Sequence, residues 1–114
     1  MRQSRSGHDG FVALVLEQMA SFGVSRVRRM FGGYGLYRDD LMFAIILQEK
    51  LYLKADAVNV ARYEQAGLGP FTYSSKGKLV TLRYYEAPPE VYEDQDDMQQ
   101  WARSAFEAAL RARK

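Results

Sequence analysis

General acid–base chemistry needs a positioned histidine or carboxylates held in unlike environments. This chain has a single histidine, His8, close to its start. A lone histidine in a chain-terminal segment supplies neither a catalytic triad nor a multi-histidine metal site, and His8 reads as a solvated residue of a poorly ordered tail. There is no cysteine, which removes thiol nucleophiles, disulfides and thiolate metal sites together. Asp94, Asp96 and Asp97 are hard oxygen ligands close in sequence, but the loop glycine and closing glutamate of an EF-hand are missing. Capping of a following helix accounts for them. Asp39 and Asp40 are where turn chemistry favours acids. No catalytic residue, metal ligand or cofactor site is assigned, and the chain reads as a non-enzyme with no small-molecule substrate.

Two other patterns carry chemistry. The run MFGGYGLY, from Met30 to Tyr37, suggests a phosphate cradle through Gly32, Gly33 and Gly35. Its spacing matches neither the dinucleotide fingerprint nor a P-loop, and no helix N-terminus follows to receive an anion. The favoured reading is a strand in which glycine permits a bulge, a bend or the close approach of another backbone or ring. A ligand pocket near Gly33, Tyr34 and Arg83 is the weaker alternative. The second pattern is basic. Arg26, Arg28, Arg29 and Arg38 lie in a stretch without acids, with Lys76 and Lys78 further on, among Tyr34, Tyr37, Tyr73, Tyr84 and Tyr85. Sheet-based modules hold single-stranded nucleic acid on such surfaces, through phosphate pairing and base stacking. These six cations are the candidate contacts to nucleic acid or to a protein partner. The opposite charge is gathered in Glu86, Glu90, Glu93, Asp94, Asp96 and Asp97, so a net charge of +2 conceals a strong asymmetry.

The elements that must position these groups follow from periodicity. Asp9 is placed to cap a helix from Gly10 to Phe22, with Phe11, Leu14, Val15, Met19 and Phe22 on one stripe and Gly23 as its stop. The period then changes to that of strands: Val27–Phe31, Tyr34–Arg38, Leu41–Gln48 and Leu51–Lys54, joined by links too short for anything but antiparallel hairpins. LMFAIIL is apolar on both faces and reads as a central strand. Asp56 caps a short helix to Ala66, with Val58, Ala61 and Tyr63 inward and a glycine C-cap at Gly67-Leu68. A hairpin from Pro70–Tyr73 to Leu79–Tyr85 follows, with Val80, Leu82 and Tyr84 on one face. Pro88-Pro89 ends the strands. A last helix from Asp97 to Ala112 carries Met98, Trp101, Ala102, Ala105, Phe106, Ala109 and Leu110 at three-four spacing.

With 114 residues, 47% hydrophobic and 26% charged, the chain fits one domain, residues 10–114, behind a flexible tail of residues 1–9. The expected class is α+β, a two-layer domain with an antiparallel sheet of about five to six strands packed against an N-terminal, a middle and a C-terminal helix. No run approaches the roughly 20 apolar residues of a membrane span. A cytoplasmic protein without membrane contact is expected.

From RRMFGGYGLYRDDLMFAII through LYLKAD and GLGPFTYSSKGKLVTLRYYEAP to QQWARSAFEAAL, the chain resembles the N-terminal domain of the TfoX/Sxy family, bacterial competence regulators. The resemblance implies an α+β domain without enzymatic activity that acts in transcription, in concert with the cyclic-AMP receptor protein. It makes Met30, Phe31, Gly32, Gly33, Gly35 and Tyr37 a family signature of structural kind. Those regulators continue into a second domain, and this chain is expected to be the first domain standing alone. The leading functional expectation is a non-enzymatic regulatory or protein-interaction module, with the transcription machinery or a second copy as partner. The alternative is a nucleic-acid-binding accessory protein that uses a basic, tyrosine-rich sheet surface.

Overall fold

In the computed structural model, residues 7–30 and 32–113 are described, with side chains from Gly10 onward. Phe31 and the tail over residues 1–6 lie outside the described residues. The order is α1 (Gly7–Gln18), β1 (Arg26–Met30), β2 (Gly33–Arg38), β3 (Leu41–Leu47), β4 (Lys50–Lys54), α2 (Val60–Gln65), β5 (Pro70–Ser75), β6 (Lys78–Glu86), a 3₁₀ turn (Pro89–Tyr92) and α3 (Gln95–Ala112). The strands form one six-stranded antiparallel sheet in the order β1-β2-β3-β4-β6-β5. This is the expected α+β class, with LMFAIIL inside the sheet.

Each of the tight hairpins β2–β3, β3–β4 and β5–β6 turns through two left-handed residues, Asp39-Asp40, Gln48-Glu49 and Lys76-Gly77. Paired positive φ is what a two-residue turn of type I′ requires, because its twist matches that of the flanking strands. Gly67, with φ 76°, ends α2. The Gly67 N–H donates to the Glu64 carbonyl and the Leu68 N–H to the Tyr63 carbonyl, the paired bonds of a Schellman cap, and Leu68 packs on the core. Asp94 caps α3, its Oδ1 accepting from the N–H groups of Asp96 (2.8 Å) and Asp97 (3.1 Å). The acidic cluster is thus partly spent on backbone donors.

All three helices lie on one face of the sheet. Val15, Met19 and Phe22 from the α1 region meet Leu36, Phe43, Ala44, Ile46, Leu51 and Leu53 of the sheet and Met98, Trp101, Ala102 and Ala105 of α3 in one buried cluster. Phe43 gains its place through a bulge: Leu36 pairs with Ala44 but Tyr37 pairs with Met42. The extra residue turns its ring inward to Phe22 at 5.1 Å.

Several expected boundaries shift. The N-terminal helix begins at Gly7 and closes at Gln18, so Asp9 lies inside it and the segment to Phe22 is a turn closed by the Gly23 N–H on the Met19 carbonyl. Val58 and Ala61 are exposed, Val58 by 69%. The cause is Asp56, whose Oδ1 accepts from the Val58 and Asn59 N–H groups. This forms a turn that throws Val58 outward and leaves Asn59 and Tyr63 buried. On α3 Leu110 is exposed and Ala108 is buried, because small side chains let the helix axis approach the sheet closely. No helix among the described residues is long and apolar enough to cross a membrane.

Candidate binding face of the sheet

The other face of the sheet has no helix of the described residues upon it, yet it is not a plain solvated surface. Strand alternation places Arg26, Arg28 and Met30 of β1 there, with Gly33, Gly35 and Tyr37 of β2. Met42, Ile45 and Leu47 of β3 and Lys50, Tyr52 and Lys54 of β4 share this side. Lys78, Val80, Leu82, Tyr84 and Glu86 of β6 complete it, beside Phe71 and Tyr73 of β5. Ile45 is only 3% exposed although it stands outside the main core. Long side chains lying flat across the strands seal it. The glycines make this possible: a Cβ on Gly35 would meet the Met42 sulfur at 2.8 Å and the Met30 sulfur at 3.2 Å, and one on Gly33 would run into the Ile46 carbonyl oxygen and the Leu47 side chain. Gly33 and Gly35 therefore permit close approach, one of the roles expected of glycine in this strand.

Aromatic rings cross this face as a strip. Tyr52 packs edge-on to Phe71 with centroids 5.2 Å apart, and Phe71 stacks on Tyr73 at 6.0 Å. Tyr73 is 44% exposed. Cations rest on neighbouring rings: the Lys54 ammonium lies 5.0 Å from the Tyr84 centroid and the Arg26 guanidinium 4.7 Å from that of Tyr37. Burial, with Tyr37 adding to it, pushes the Tyr84 phenol up to about 12. Burial and then the Glu86 carboxylate raise the Tyr52 phenol. Both stay neutral donors at physiological pH.

The candidate cations of the sequence do not form one patch. Arg26 and Arg28 lie on the open face. Arg29 turns to the helix side over Tyr34, at 5.8 Å, and Arg38 lies there over Phe22 and Phe106, at 4.6 and 5.2 Å. Lys76 is in the β5–β6 turn and Lys78 opens β6, four strand spacings from β1, on the order of 19 Å away. Of the signature residues, Met30, Gly33, Gly35 and Tyr37 build the open face and Gly32 turns the chain with φ 77°. Lys50, Tyr52, Lys54 and Phe71 were not singled out from the sequence. The alternation of KLYLK, with Leu51 and Leu53 inward, held the signal for the first three. The acids lie elsewhere. Glu90, Glu93, Asp94, Asp96 and Asp97 gather at the start of α3 on the helix side, where desolvation and the carboxylates of Asp94, Glu90 and Asp96 raise the Asp97 carboxyl.

Two clefts on the helix side are mixed in charge, while a third, of about 400 Å³ beside α1 and β1, is lined mainly by apolar residues such as Leu16, Met19, Val24 and Val27. One of about 540 Å³ between α2 and α3 is lined by Arg62, Arg103, Asp96 and Glu107 among others. Another of about 320 Å³ contains Arg83 with Asp56 and Glu64. The crevice at Gly33 and Tyr34 holds about 10 Å³ and does not include Arg83, which lines the cleft with Asp56 and Glu64 instead. Among the described residues no group of three or more His, Asp or Glu side chains converges as a metal site.

The family model of the TfoX N-terminal domain matches residues 17–109, from within α1 to within α3. The chain belongs to the TfoX N-terminal domain family. Similar proteins include Protein Sxy of Escherichia coli, 31% identical over 98 residues, a match covering 83% of this chain and 46% of Sxy. The DNA transformation protein TfoX of Haemophilus influenzae is 33% identical over 81 residues, covering 70% of this chain and 36% of that protein. The DNA transformation protein TfoX1 of Aliivibrio fischeri is 34% identical over 59 residues, covering 52% and 28%. The chain thus matches less than half the length of each of these relatives. The matched region contains every strand, and with them the whole of the open face.

Proposed function

We propose that this chain is a non-enzymatic regulatory module that works by binding, with the helix-free face of its sheet as the binding surface. One observation carries the reading. An antiparallel sheet with one solvated face ordinarily alternates apolar-in and polar-out, whereas here the half-buried Met30, Met42, Leu47, Tyr52, Phe71 and Leu82 and the exposed Tyr73 occupy outer positions, over the buried Ile45 and Tyr84. Partly exposed apolar and aromatic side chains on a helix-free face, rimmed by charge, fit an interaction site. The role in transcription that the family resemblance implies, and relatives named for DNA transformation, fit a binding module. The transcription machinery and a second copy of the chain are the protein partners this reading admits.

The test is a photo-crosslinking residue placed at Tyr73 and, separately, at the exposed Val58 of the helix side, with the protein expressed in its host. Tyr73 is expected to capture a macromolecular partner that Val58 does not. Capture of nothing at Tyr73, or of the same species from both positions, refutes the assignment of the face. Light scattering at micromolar concentration checks self-association, and a strictly monomeric protein removes the second copy from the set of partners.

A further inference from the structure

We infer that the ligand of the open face is a single-stranded polynucleotide, its phosphates held by Arg26, Arg28, Lys50, Lys54 and Lys78 and its bases stacked on the Tyr52–Phe71–Tyr73 strip. This rests on the reading of the open face as the binding surface and names its partner. The charge on that face is one-sided: those five cations stand against one carboxylate, Glu86, while the acids at the start of α3 lie on the helix side. A polyanion is attracted to the sheet side, whereas the helix side offers it a mixture of both signs. Charge alone does not choose among polyanions, but the rings do. Tyr52, Phe71 and Tyr73 follow one another at 5.2 and 6.0 Å across β4 and β5, and Tyr73 is 44% exposed at the sheet margin. An aromatic face recognises another flat π-system, and in nucleic acids the base faces are free only in single strands. A duplex hides them, and reading its major groove takes a protruding helix or ribbon, which this flat face does not offer. The cations are also pre-positioned. Lys54 and Arg26 lie over the rings of Tyr84 and Tyr37, so part of the ordering cost of those long side chains is met before a ligand arrives.

The experiment is fluorescence anisotropy of the full chain with labelled oligothymidylate and oligouridylate of about 20 nucleotides, several times the span of a single-strand site on a small module. Binding by either is expected at about 50 mM salt. If four phosphates are engaged, affinity should fall about 50-fold between about 50 and 200 mM. Tyr73→Ala should weaken binding on the order of 10-fold through lost stacking. Lys54→Ala and Lys78→Ala should each weaken it and reduce the salt dependence. Arg103→Ala removes the same charge from the helix side and should change affinity less than about 2-fold. The inference is overturned if neither oligonucleotide binds at low salt, if a duplex of equal length binds more tightly, or if Arg103→Ala matches Lys54→Ala. A Tyr73 crosslink to protein alone, with no oligonucleotide binding, overturns it while leaving the open face as the docking surface.

Discussion

Substituting the three glycines of the MFGGYGLY segment by alanine, one at a time, should give three different costs, because each glycine is needed for a different reason. At Gly33 the added Cβ meets the Ile46 carbonyl oxygen, a backbone atom that cannot rotate away, as well as Leu47. Relief requires the start of β2 to lift from β3, where Tyr34 pairs with Ile46. Losing one or two ladder hydrogen bonds costs about 1 kcal/mol each and overpacking adds about 1–3 kcal/mol. The reduced freedom of the unfolded chain returns about 0.4–1 kcal/mol, for a net loss of about 3 kcal/mol. At Gly35 the obstacles are the Met42 and Met30 thioethers, flexible ends that can swing aside, so the net loss is about 1 kcal/mol. At Gly32 nothing lies within reach of a Cβ, but φ is 77°, and a left-handed alanine costs roughly 1–2 kcal/mol. An unfolding entropy of about 0.24 kcal/mol/K for a chain of this length makes each 1 kcal/mol worth about 4 °C in Tm. Gly33→Ala should therefore melt about 12 °C lower, and the other two roughly 4–8 °C lower. The buried Trp101 is the sole tryptophan and reports unfolding directly. Equal losses at Gly33 and Gly35, or a neutral Gly33→Ala, would refute the close-packing account of this segment.

Other predictions follow from single groups. The Tyr63 phenol is buried with no hydrogen-bond partner among the described residues, so Tyr63→Phe should be neutral or up to about 1 kcal/mol more stable in denaturant titration. The buried Asn59 amide donates to the Lys54 carbonyl (3.3 Å) and the Ser104 hydroxyl (3.0 Å) and accepts from the Asp56 N–H (2.8 Å). Asn59→Ala should cost about 2–3 kcal/mol, and Asn59→Asp no less at neutral pH, since a carboxylate there faces backbone carbonyls. Asp56 is paired through both oxygens with Arg111, at 2.7 and 3.0 Å, and that bond, aided by the Val58 and Asn59 N–H groups, holds its carboxyl below the usual range. Its contribution is complete above the unfolded-state value near 3.9 and is lost as pH falls through the lower folded-state value. Asp56→Asn should flatten that part of the acid-unfolding curve. Because the pair is solvent-facing, Arg111→Ala should cost no more than about 1 kcal/mol, and Asp56→Ala about 1 kcal/mol more through its lost cap. Gln48 and Glu49 both have left-handed φ, so replacing them with Asn-Gly should stabilise the β3–β4 hairpin by about 1 kcal/mol, read as a rise in Tm.

Much of the sheet was legible because its hairpin links are two residues long: such links force antiparallel neighbours, and alternation then fixes the faces. The glycine C-cap of α2 and the centrality of LMFAIIL were legible for the same local reasons. Helix ends were less so. Asp9 satisfied the cap pattern but lies within α1, since an acid is equally at home in a first turn. Val58 and Ala61 matched an inward spacing, but Asp56 spends its carboxylate on a turn first, which delays the helix and rotates its stripe. Arg29 and Arg38 looked equivalent to Arg26 and Arg28 by composition. Period-two alternation along β1 and β2 sends them to the other side.

The sequence by itself determined the α+β class, the hairpin pairings, the need for glycine beside Tyr34 and Tyr37, and the family, because each depends on neighbours close along the chain. Only the tertiary structure decided that β6 inserts between β4 and β5, that all three helices cover one face, and that Lys50, Lys54, Tyr52 and Phe71 join Arg26 and Arg28 on the other. Those facts depend on which long-range burial the whole chain can satisfy at once. The open face exists because Trp101, Phe43, Leu51 and their neighbours fill a single core on one side of the sheet, leaving the aromatic and basic side chains of the other side to lie flat over glycine.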